Sequence, residues 1–512
     1  MLNLLLDSIV EKFPLEAALI FEDKTHTYAD LLSRTQSLAA SLLERGIHPG
    51  DRVAFLLPNC VEIVLCYYAC FKIGAIAVPL NLRFGAGLLK YVINHSRARV
   101  LISEPELFAK VENIRSSLPD VEQYFLISRH SNFSGVSPFS ELVEATLSAD
   151  RLSVFDENSP AAIYYTSGTT GLPKAVIHTH ASLTRATSDQ IRQISISSND
   201  RTLIMFPVCY LIGFGSQILT FHSCGATCIL LRDFEPKLAF KAIRAYRPTK
   251  AYGFPKLYND LVNYPEAGQY DLSSLDFCFS AGEAIAVAIQ ERFKRIFGVE
   301  ITEGCGMTEL QIYSMNPPYD NKKLGSIGKP IVGMEVSLID EFDRPVSRVG
   351  EIGEMIVRGG SMTAGYWCDP ELTARNIIEG WFHTGDLAYK DEEDFYWFVS
   401  RKSEIIRHRA GLVSPVEVEG AFYQHPSVKE VGVIGVPDRC GGELVQAHVV
   451  LKENSASVTQ QQLADFARMR LAEYKAPREI IFTRNLPYGP TGKIDRRTLR
   501  EIALRQSEGK SD

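Results

Sequence analysis

Several common functional signatures are missing from this 512-residue chain. Its ten cysteines form no Cys-x-x-Cys pair, which argues against a zinc ribbon or a redox dithiol. No basic run stands out, and the formal net charge of −7 argues against general nucleic-acid binding. No stretch reaches the roughly 20 uninterrupted apolar residues that span a bilayer. No internal repeat is present, and the composition is typical of a globular enzyme.

The cysteines and the first residues both favour a cytoplasmic protein. Most cysteines lie within apolar runs, where we expect reduced, buried thiols: Cys60, Cys66, Cys70, Cys209, Cys224, Cys228, Cys278, Cys305, Cys368 and Cys440. Residues 1–7 carry no basic leader and no small-residue cleavage site, so we expect an amphipathic helix that continues through Phe13.

Helical and strand patterns alternate from the N-terminus onward. The apolar spacing predicts helices over 28–45 and about 61–73. Short apolar runs predict strands at 51–58, 75–80, 100–103, 123–127, 202–206 and 227–231. This alternation predicts layered α/β sheets.

The pattern changes near Gly325 to short strands separated by Gly, Asp and Pro turns, which predicts a small β-rich subdomain over about 325–400. After Arg401, strands near 430–436 and 445–451 and a helix near 459–473 predict a compact α+β tail. The chain is too long for one core, so we predict an N-terminal domain over 1–401 and a C-terminal domain over 402–512.

The densest group of polar donors follows the apolar run 161–163. Hydroxyls, glycines and a lysine predict a phosphate-binding loop; they are Thr166, Ser167, Gly168, Thr169, Thr170, Gly171 and Lys174. The loop is not a Walker motif, because Lys174 follows Pro173 and no Ser or Thr comes next to hold magnesium.

Two further segments carry groups suited to a nucleotide. Thr308 and Glu309 follow what we expect to be a flexible glycine turn over 304–306, and such a pair can hold a phosphate oxygen and its magnesium. Asp386 ends the segment Trp381–Asp386 and could accept hydrogen bonds from both ribose hydroxyls.

In this order, these segments resemble the adenylate-forming superfamily, which contains acyl-CoA synthetases, nonribosomal-peptide adenylation domains and firefly-type luciferases. The resemblance extends over nearly the whole chain and is closest in style to acyl- or aryl-CoA ligases. It rests on 50–59, 78–81, the phosphate loop, 304–309, 365–367, 380–386, Arg401 and 490–494.

The resemblance implies a two-step reaction with ATP and Mg²⁺. A carboxylate attacks the α-phosphate of ATP and gives an acyl-adenylate and pyrophosphate, and a thiol then displaces AMP. The implied acceptor is CoA or the phosphopantetheine of a carrier protein. The implied fold is a large N-terminal domain followed by a small C-terminal domain that rotates between the two steps.

The resemblance also implies residue roles. Thr166, Ser167, Gly168, Thr169, Thr170, Gly171 and Lys174 would hold the β- and γ-phosphates. Thr308 would contact the α-phosphate, Glu309 would bind magnesium, and Asp386 and Arg401 would hold the ribose. The nucleotide would further contact Gly282, Glu283, Ala284, Cys305, Gly306 and Met307. Lys493 would bridge the substrate carboxylate and the α-phosphate, and Glu404 would be the hinge.

Three positions depart from the family pattern. Cys305 stands where a tyrosine usually stacks on adenine, and Tyr210 replaces a frequent histidine beside the acyl carboxylate. Ala410 replaces a glycine that lets a pantetheine arm pass, which puts the thiol step in doubt.

The acid is predicted only by class. Residues 211–213 offer no anion for an α-ammonium group, so an amino acid is disfavoured. The predicted pocket residues suggest an apolar aliphatic or aromatic acid: Tyr210, Gly213, Phe214, Phe254, Phe279 and Ser280.

We predict an AMP-forming acid–CoA ligase, and two alternatives stay open. One is a ligase that loads a carrier protein. The short interval between Glu309 and Trp381 leaves little space for the insertion found in family members that make fatty acyl-adenylates for carrier proteins, so the resemblance favours CoA. The other is a catalytically reduced acyl-adenylate-binding or regulatory protein, which the retention of Lys493, Glu309, Asp386 and Arg401 argues against. No feature specifically favours a luciferase-like oxygenase.

Overall fold

Two large sheets are built from strands within the first 330 residues and from the strand Gly365–Tyr366. The computed structural model describes residues 2–128, 133–143, 155–166, 172–438, 440–453, 455, 457–489 and 493–508, with side chains to 505. Within these ranges, one sheet has eight strands in the order Gly365–Tyr366, Lys174–Thr179, Pro160–Thr166, Ile76–Pro79, Arg52–Leu56, Ala98–Ser103, Gln123–Leu126 and Ser137–Pro138.

The second large sheet has nine strands. Their order is Lys329–Pro330, Gln311–Met315, Ile301–Met307, Phe277–Ser280, Lys250–Gly253, Arg201–Ile204, Thr227–Leu230, Ala17–Phe21 and Lys24–Thr27. Its central strands are parallel, with Gly253 opposite Ser280 and Ser280 opposite Glu303. Loops that follow neighbouring parallel strands meet at one edge of the sheet, which is where ligands bind in open α/β sheets.

The helix Val61–Ile73 lies at the centre of the N-terminal region. All its residues except Glu62 are buried, which agrees with a sequence that is apolar apart from Glu62 and Lys72. It belongs to one core cluster with side chains from both large sheets, such as Phe55 and Ile204. The helix ends at Gly74 in the left-handed conformation (φ 73°), where a Cβ atom would come within 2.7 Å of the Phe155 ring.

A five-stranded sheet follows and corresponds to the predicted β-rich subdomain. Its strands are Met334–Ile339, Gly353–Gly359, Ile377–Ile378, Trp381–Lys390 and Tyr396–Arg401. The remaining elements form a hairpin of Ile406–His408 with Gly411–Val413 and a sheet of Val428–Pro437, Glu443–Leu451 and Glu479–Phe482. These C-terminal elements pack around two core clusters of their own, which is compatible with the predicted boundary near 401.

The α-helices surround these sheets. They are Leu5–Val10, Tyr28–Glu44, Val61–Ile73, Ala86–Ser96, Pro105–Glu112, His180–Ile194, Leu211–Gly213, Thr220–His222, Pro236–Tyr246, Pro255–Asn263, Val287–Phe297, Pro370–Asn376, Pro415–Tyr423, Gln460–Arg468 and Arg496–Glu508. A π-helical turn, Phe214–Leu219, lies between two of them. Among the described residues, no helix is long and apolar enough to cross a membrane.

The predicted α/β class is confirmed, and most of the differences are at element ends. The first helix ends at Val10 instead of reaching Phe13, and the helix predicted over 459–473 covers only Gln460–Arg468. All ten cysteines are free, as predicted; six are buried, whereas Cys368 and Cys440 are exposed.

Candidate active site

Thr166 and Lys174 frame the predicted phosphate loop. They end and begin two antiparallel strands and lie opposite each other in the register. The other loop residues of the prediction, Ser167 to Gly171, lie outside the described residues. The Lys174 ammonium lies 5.8 Å from the centroid of the Tyr366 ring, so the lysine points toward the strand Gly365–Tyr366 at the sheet edge.

Glu309 is connected to this lysine through Tyr366. The Tyr366 hydroxyl donates to Glu309 Oε1 over 2.9 Å, and the carboxylate is buried. The Glu309 carbonyl accepts from the Thr363 N–H over 2.7 Å, which fixes the backbone as well. Lys174, Tyr366 and Glu309 thus form one cluster of groups suited to phosphate and a hard cation.

Thr308 is held by a buried histidine. His178 Nε2 lies 2.7 Å from the Thr308 carbonyl, which can only accept, so Nε2 carries the proton. Burial lowers the pKa of His178 to about 4, so the ring is neutral at pH 7 and Nδ1 accepts from the Ser182 hydroxyl. The imidazole therefore positions the backbone of Thr308 without contributing charge.

The segment before Thr308 is a strand, so the expectation of a flexible glycine turn over 304–306 is wrong. Ile301–Met307 pairs with Gln311–Met315 as a hairpin. Its glycines allow close packing: a Cβ atom at Gly304 would come within 2.6 Å of the Phe279 ring. A Cβ atom at Gly306 would come equally close to the Gln311 carbonyl.

Cys305 belongs to a hydrogen-bond chain that leads to Asp386. The Tyr313 hydroxyl donates to Asp386 Oδ2 over 3.2 Å, so the Cys305 thiol, 3.0 Å from that hydroxyl, acts as the donor to it. Burial raises the pKa of Cys305 to about 12, which keeps the thiol protonated. A tyrosine is therefore present beside the site, but it lies on the neighbouring strand.

Asp386 and Arg401 are cross-strand partners. They face each other in the pairing of Trp381–Lys390 with Tyr396–Arg401, and Arg401 Nε lies 2.8 Å from Asp386 Oδ1. Burial raises the pKa of Asp386, and the arginine opposes that shift. Arg401 also donates through Nη1 to the Thr384 carbonyl over 3.1 Å. The pairing register thus places both predicted ribose ligands side by side.

Lys493 reaches this group from the C-terminal region. Its Cε would lie 3.7 Å from a Cβ atom built at Gly282, a residue with φ 96° where a side chain would collide with Phe254. Burial lowers the pKa of Lys493, and the nearby Arg401 lowers it further. Glu283 and Asp386 act in the opposite direction and favour the charged form of the lysine. The structure therefore brings Lys493 to the loop at 282–284.

The predicted pocket residues come from loops and turns at the same sheet edge. Phe254 and Ser280 stand at the ends of neighbouring parallel strands, and Phe254 contacts Phe206 edge-on. Tyr210 begins the helix Leu211–Gly213, and burial raises the pKa of its hydroxyl. The buried Ser280 hydroxyl has no hydrogen-bond partner among the residues described.

The other predicted pocket residues are mainly packing residues. Phe214 stacks on Tyr67 with ring centroids 3.6 Å apart and is fully buried. Phe279 is also fully buried in the core. Gly213 is required for packing, since a Cβ atom there would lie 2.5 Å from the Pro207 carbonyl oxygen.

Sequence reasoning missed five residues that contact the predicted site: His178, Gln311, Tyr313, Tyr366 and Arg496. Tyr366 lies in a segment that carries the family resemblance, so the sequence marked its position but did not indicate its contact with Glu309. Gln311 is buried in a left-handed conformation (φ 60°), and its amide lacks a hydrogen-bond partner within the described ranges. Neither property is visible in sequence.

The predicted hinge residue, Glu404, and Ala410, which differs from the family pattern, both lie at the surface. Glu404 is exposed and follows the last strand of the five-stranded sheet, where its N–H donates to the Arg401 carbonyl. Ala410 is exposed at the turn of the hairpin 406–413, and its N–H donates to His408 Nδ1 over 3.1 Å.

The comparisons with known families agree with this geometry. The family described as AMP-binding enzyme matches residues 6–367, and the family described as AMP-binding enzyme C-terminal domain matches residues 417–493. The chain belongs to the AMP-binding enzyme family. Its C-terminal match ends at Lys493, the residue that reaches the loop at 282–284.

Individual relatives of this AMP-binding enzyme cover nearly its full length. It is 33% identical over 528 residues to a long-chain-fatty-acid–CoA ligase of Bacillus subtilis (strain 168), covering 98% of this chain and 94% of the relative. It is 32% identical over 479 residues to a feruloyl-CoA synthase of Amycolatopsis sp, covering 91% and 92%.

A solved structure is similar throughout. The anthranilate CoA ligase AuaEII, in complex with anthranoyl-AMP, superposes with a TM-score of 0.93 at 29% identity, covering 99% of this chain and 98% of that one. These relatives confirm the prediction that this AMP-binding enzyme is an AMP-forming acid–CoA ligase.

Proposed function

We propose that this chain uses ATP to activate an apolar aliphatic or aromatic carboxylic acid and transfers the acyl group to CoA, with the residue roles given below. The observation that carries the proposal is the placement of Lys493. A residue from the C-terminal region lies beside Gly282 and within the electrostatic reach of Arg401, Asp386 and Glu283. Such a site can neutralise an anionic reaction between a carboxylate and a phosphate.

In the first step, a carboxylate oxygen of the acid attacks the α-phosphorus of ATP. The bond from that phosphorus to the bridging oxygen of the β-phosphate breaks, and pyrophosphate leaves. Two anions must approach each other, so we assign Lys493 to the space between them. A positioned cation of this kind contributes about 3–4 kcal/mol to transition-state stabilisation.

The leaving pyrophosphate is assigned to Thr166, Lys174 and the loop between them. Thr308 is assigned to the α-phosphate, and its backbone is held by His178 over 2.7 Å. Asp386 and Arg401 are assigned to the ribose hydroxyls. Glu283 and Ala284 are assigned to the adenine side with the strand end Cys305 to Met307.

Mg²⁺ fits the donor set at Glu309. The cation is typically held by one or two carboxylates together with substrate phosphates, and it would neutralise charge on the leaving pyrophosphate. Glu309 presents one buried carboxylate whose Oε1 accepts from Tyr366 over 2.9 Å. No group of three or more His, Cys, Asp or Glu side chains forms a metal cage in the described part of the chain, which suits a cation bound mainly through phosphate.

In the second step, the sulfur of CoA attacks the acyl carbon of the adenylate. The bond from that carbon to the phosphate oxygen breaks, AMP leaves and the thiol proton is lost. The acyl-adenylate makes this step feasible, because AMP is a far better leaving group than the oxide of a free carboxylate.

The substrate class follows from the groups around the predicted pocket. Phe254, Tyr210 and the helix 211–213 offer mainly apolar surface. Gln311 adds a buried amide close to Gly215: its Oε1 would lie 3.4 Å from a Cβ atom built there. We assign this amide to a polar substituent on an otherwise apolar acid. The named substrates of the relatives, a long-chain fatty acid and ferulate, belong to the two chemical classes proposed.

The function is tested by ATP–pyrophosphate exchange with octanoate, palmitate, benzoate, anthranilate and ferulate. Each reaction that shows exchange is repeated with CoA or with a holo carrier protein, and the products are identified by mass spectrometry. We expect exchange with at least one acid and a CoA thioester of the same acid. Carrier-protein loading without a CoA ester would overturn the choice of acceptor, and no exchange with any acid would favour the binding-protein alternative.

A further inference from the structure

Arg496 lies at the centre of three carboxylates. Its guanidinium nitrogens are 2.8 Å from Glu419 Oε1, 3.5 Å from Glu404 Oε2 and 3.8 Å from Glu283 Oε1. The same nitrogen, Nη2, also lies 2.9 Å from Glu419 Oε2, so it contacts both oxygens of that carboxylate. The Arg496 side chain is only 15% exposed, so these carboxylates supply the counter-charge that a buried guanidinium needs.

The three carboxylates come from different parts of the fold. Glu283 belongs to the loop after the strand Phe277–Ser280, in the large N-terminal region. Glu404 immediately follows the five-stranded sheet, and Glu419 lies on the helix Pro415–Tyr423 of the C-terminal region. One arginine therefore ties the C-terminal region to a loop of the nucleotide site and to the segment that connects the two regions.

The same loop holds Lys493. Gly282 is the residue next to the Lys493 side chain, and its neighbour Glu283 faces Arg496. Lys493 lies three residues before the start of the helix Arg496–Glu508, and its carbonyl accepts from the Gly489 N–H over 2.8 Å. Two consecutive loop residues, Gly282 and Glu283, thus lie beside two basic side chains that are close in sequence.

Opposite charges lie close together around Arg496 and Lys493. Lys493 and Arg496 bring two positive charges to a buried region, and Glu283, Glu404 and Glu419 supply three negative ones. Burial raises the pKa of Glu283 to about 7, whereas Arg496 and Lys493 favour its charged form. Removing Arg496 would leave Glu283 and Glu419 facing each other without the cation between them.

We propose that Arg496 is a positioning residue for adenylation, which holds Lys493, three residues before it, against the loop at 282–283 through its contact with Glu283. This inference rests on the proposed function, because Lys493 must act in the first step for its position to matter. Arg496 itself acts through Lys493 and is not assigned a contact with substrate.

A purely structural role makes a different prediction. If Arg496 served only to stabilise the C-terminal region through Glu419, the charge of Glu283 would be irrelevant to catalysis. The Glu283→Gln substitution separates the two roles, since it keeps the contact of Arg496 with Glu419 and removes the negative charge that faces Arg496 across the two regions.

The test compares Arg496→Ala, Arg496→Lys, Glu283→Gln and the double variant Arg496→Ala/Glu283→Gln in the full-length protein. Arg497→Ala is the matched control, because the Arg497 side chain is 69% exposed and its carboxylate contact, with Glu501, is 3.9 Å long. Exchange of ATP and pyrophosphate reports adenylation. Thioester formation from a synthetic acyl-adenylate and CoA reports the second step, and thermal unfolding reports folding.

We expect Arg496→Ala and Glu283→Gln each to lower kcat for exchange by about 10- to 100-fold, as a small displacement of a catalytic group does. For the Arg496 variants, KM for ATP and the rate of the second step are expected to change by less than about threefold. The exchange rate of the double variant is expected to be no lower than that of the slower single variant, because both substitutions remove the same contact. Arg496→Lys is expected to recover part of the rate, and Arg497→Ala to match the wild type.

Normal exchange in Glu283→Gln would overturn the inference, and this variant decides alone if Arg496→Ala fails to fold. Equal losses in both half-reactions would also contradict it, since they indicate a general structural defect. Lys493→Ala is measured alongside. If Lys493→Ala keeps normal exchange, the proposed role of Lys493 fails; if it loses exchange while the Arg496 and Glu283 variants keep it, only the inference fails.

Discussion

Asp386 and Arg401 face each other across adjacent antiparallel strands, with Arg401 Nε 2.8 Å from Asp386 Oδ1. The pairing register makes this contact, so two residues that are separated in sequence act as one unit. A carboxylate held in this way can accept hydrogen bonds from a vicinal diol while the arginine maintains its charge.

Asp386→Asn tests the ribose assignment. The amide keeps the shape of the side chain. It is neutral, however, and only its oxygen can accept hydrogen bonds. We expect KM for ATP to rise by about 10- to 100-fold, equivalent to the roughly 1.5–3 kcal/mol of a hydrogen bond to a charged group. Asp394→Asn is the control, since Asp394 is 71% exposed and its left-handed backbone tolerates asparagine. An unchanged KM in Asp386→Asn would contradict the assignment.

Tyr366→Phe tests the support of Glu309. The substitution removes the hydroxyl that donates to Glu309 over 2.9 Å and leaves the ring beside Lys174. We expect the Mg²⁺ concentration for half-maximal exchange to rise by about 3- to 10-fold, in line with the loss of one hydrogen bond to the proposed metal ligand Glu309. Tyr246→Phe is the control, because it removes a similar bond, 2.6 Å long, to the exposed Asp23. Equal Mg²⁺ dependence in the two variants would count against this role.

Glu283 predicts a pH dependence of adenylation. Burial raises the pKa of Glu283 to about 7, while Arg496 and Lys493 lower it and Glu419 and Glu404 raise it. The carboxylate is therefore neutral below this pH and pairs with Arg496 above it. We expect kcat/KM for exchange to rise as the pH increases through about 7.

The Glu283→Gln variant provides the comparison for that profile. Its amide does not titrate, so the rise through pH 7 should disappear. If kcat/KM for exchange rises with the same midpoint in the wild type and in the variant, the titrating group is not Glu283.

Ala410→Gly tests the departure from the family pattern in the thiol step. Ala410 is exposed in the hairpin 406–413, and the resemblance implies that a glycine there lets a pantetheine arm pass. We expect thioester formation from a synthetic acyl-adenylate and CoA to accelerate by about 3- to 10-fold, because removal of a methyl group relieves a steric contact. Exchange should be unchanged. Ala472→Gly, at another exposed alanine of the C-terminal region, should alter neither step.

Local pattern was sufficient for much of the fold. The helix Val61–Ile73 has the bounds that were predicted, because most of its residues are apolar and Gly74 ends it. The strands at 52–56 and 76–79 also follow from short apolar runs. In such segments the local preference and the tertiary environment agree.

Tertiary packing decided the elements that were predicted wrongly. The sequence predicted a flexible turn at Gly304 and Gly306. Both glycines lie in a strand, where Phe279 and the Gln311 carbonyl leave no room for side chains. No sequence window contains those neighbours, so spacing alone could not identify the reason for the glycines.

Candidate site residues that lie in motifs could be predicted from the sequence, whereas residues whose contacts are distant in sequence could not. Asp386, Arg401 and Lys493 belong to ordered motifs that carry the family resemblance. Arg496 has partners at 283, 404 and 419, and Tyr313 gains its importance only because it lies between Cys305 and Asp386. Such networks depend on which strands and loops become neighbours, which requires the folded structure.

The central claim is that Lys493 acts in adenylation, and the Lys493→Ala variant tests it most directly. Acid-dependent ATP–pyrophosphate exchange and thioester formation from a synthetic acyl-adenylate and CoA are measured on the same preparation. Loss of the cation should reduce exchange by at least about 100-fold, matching the roughly 3–4 kcal/mol expected of a positioned charge, while the second step stays within about threefold of the wild type. Normal exchange in Lys493→Ala would contradict the account.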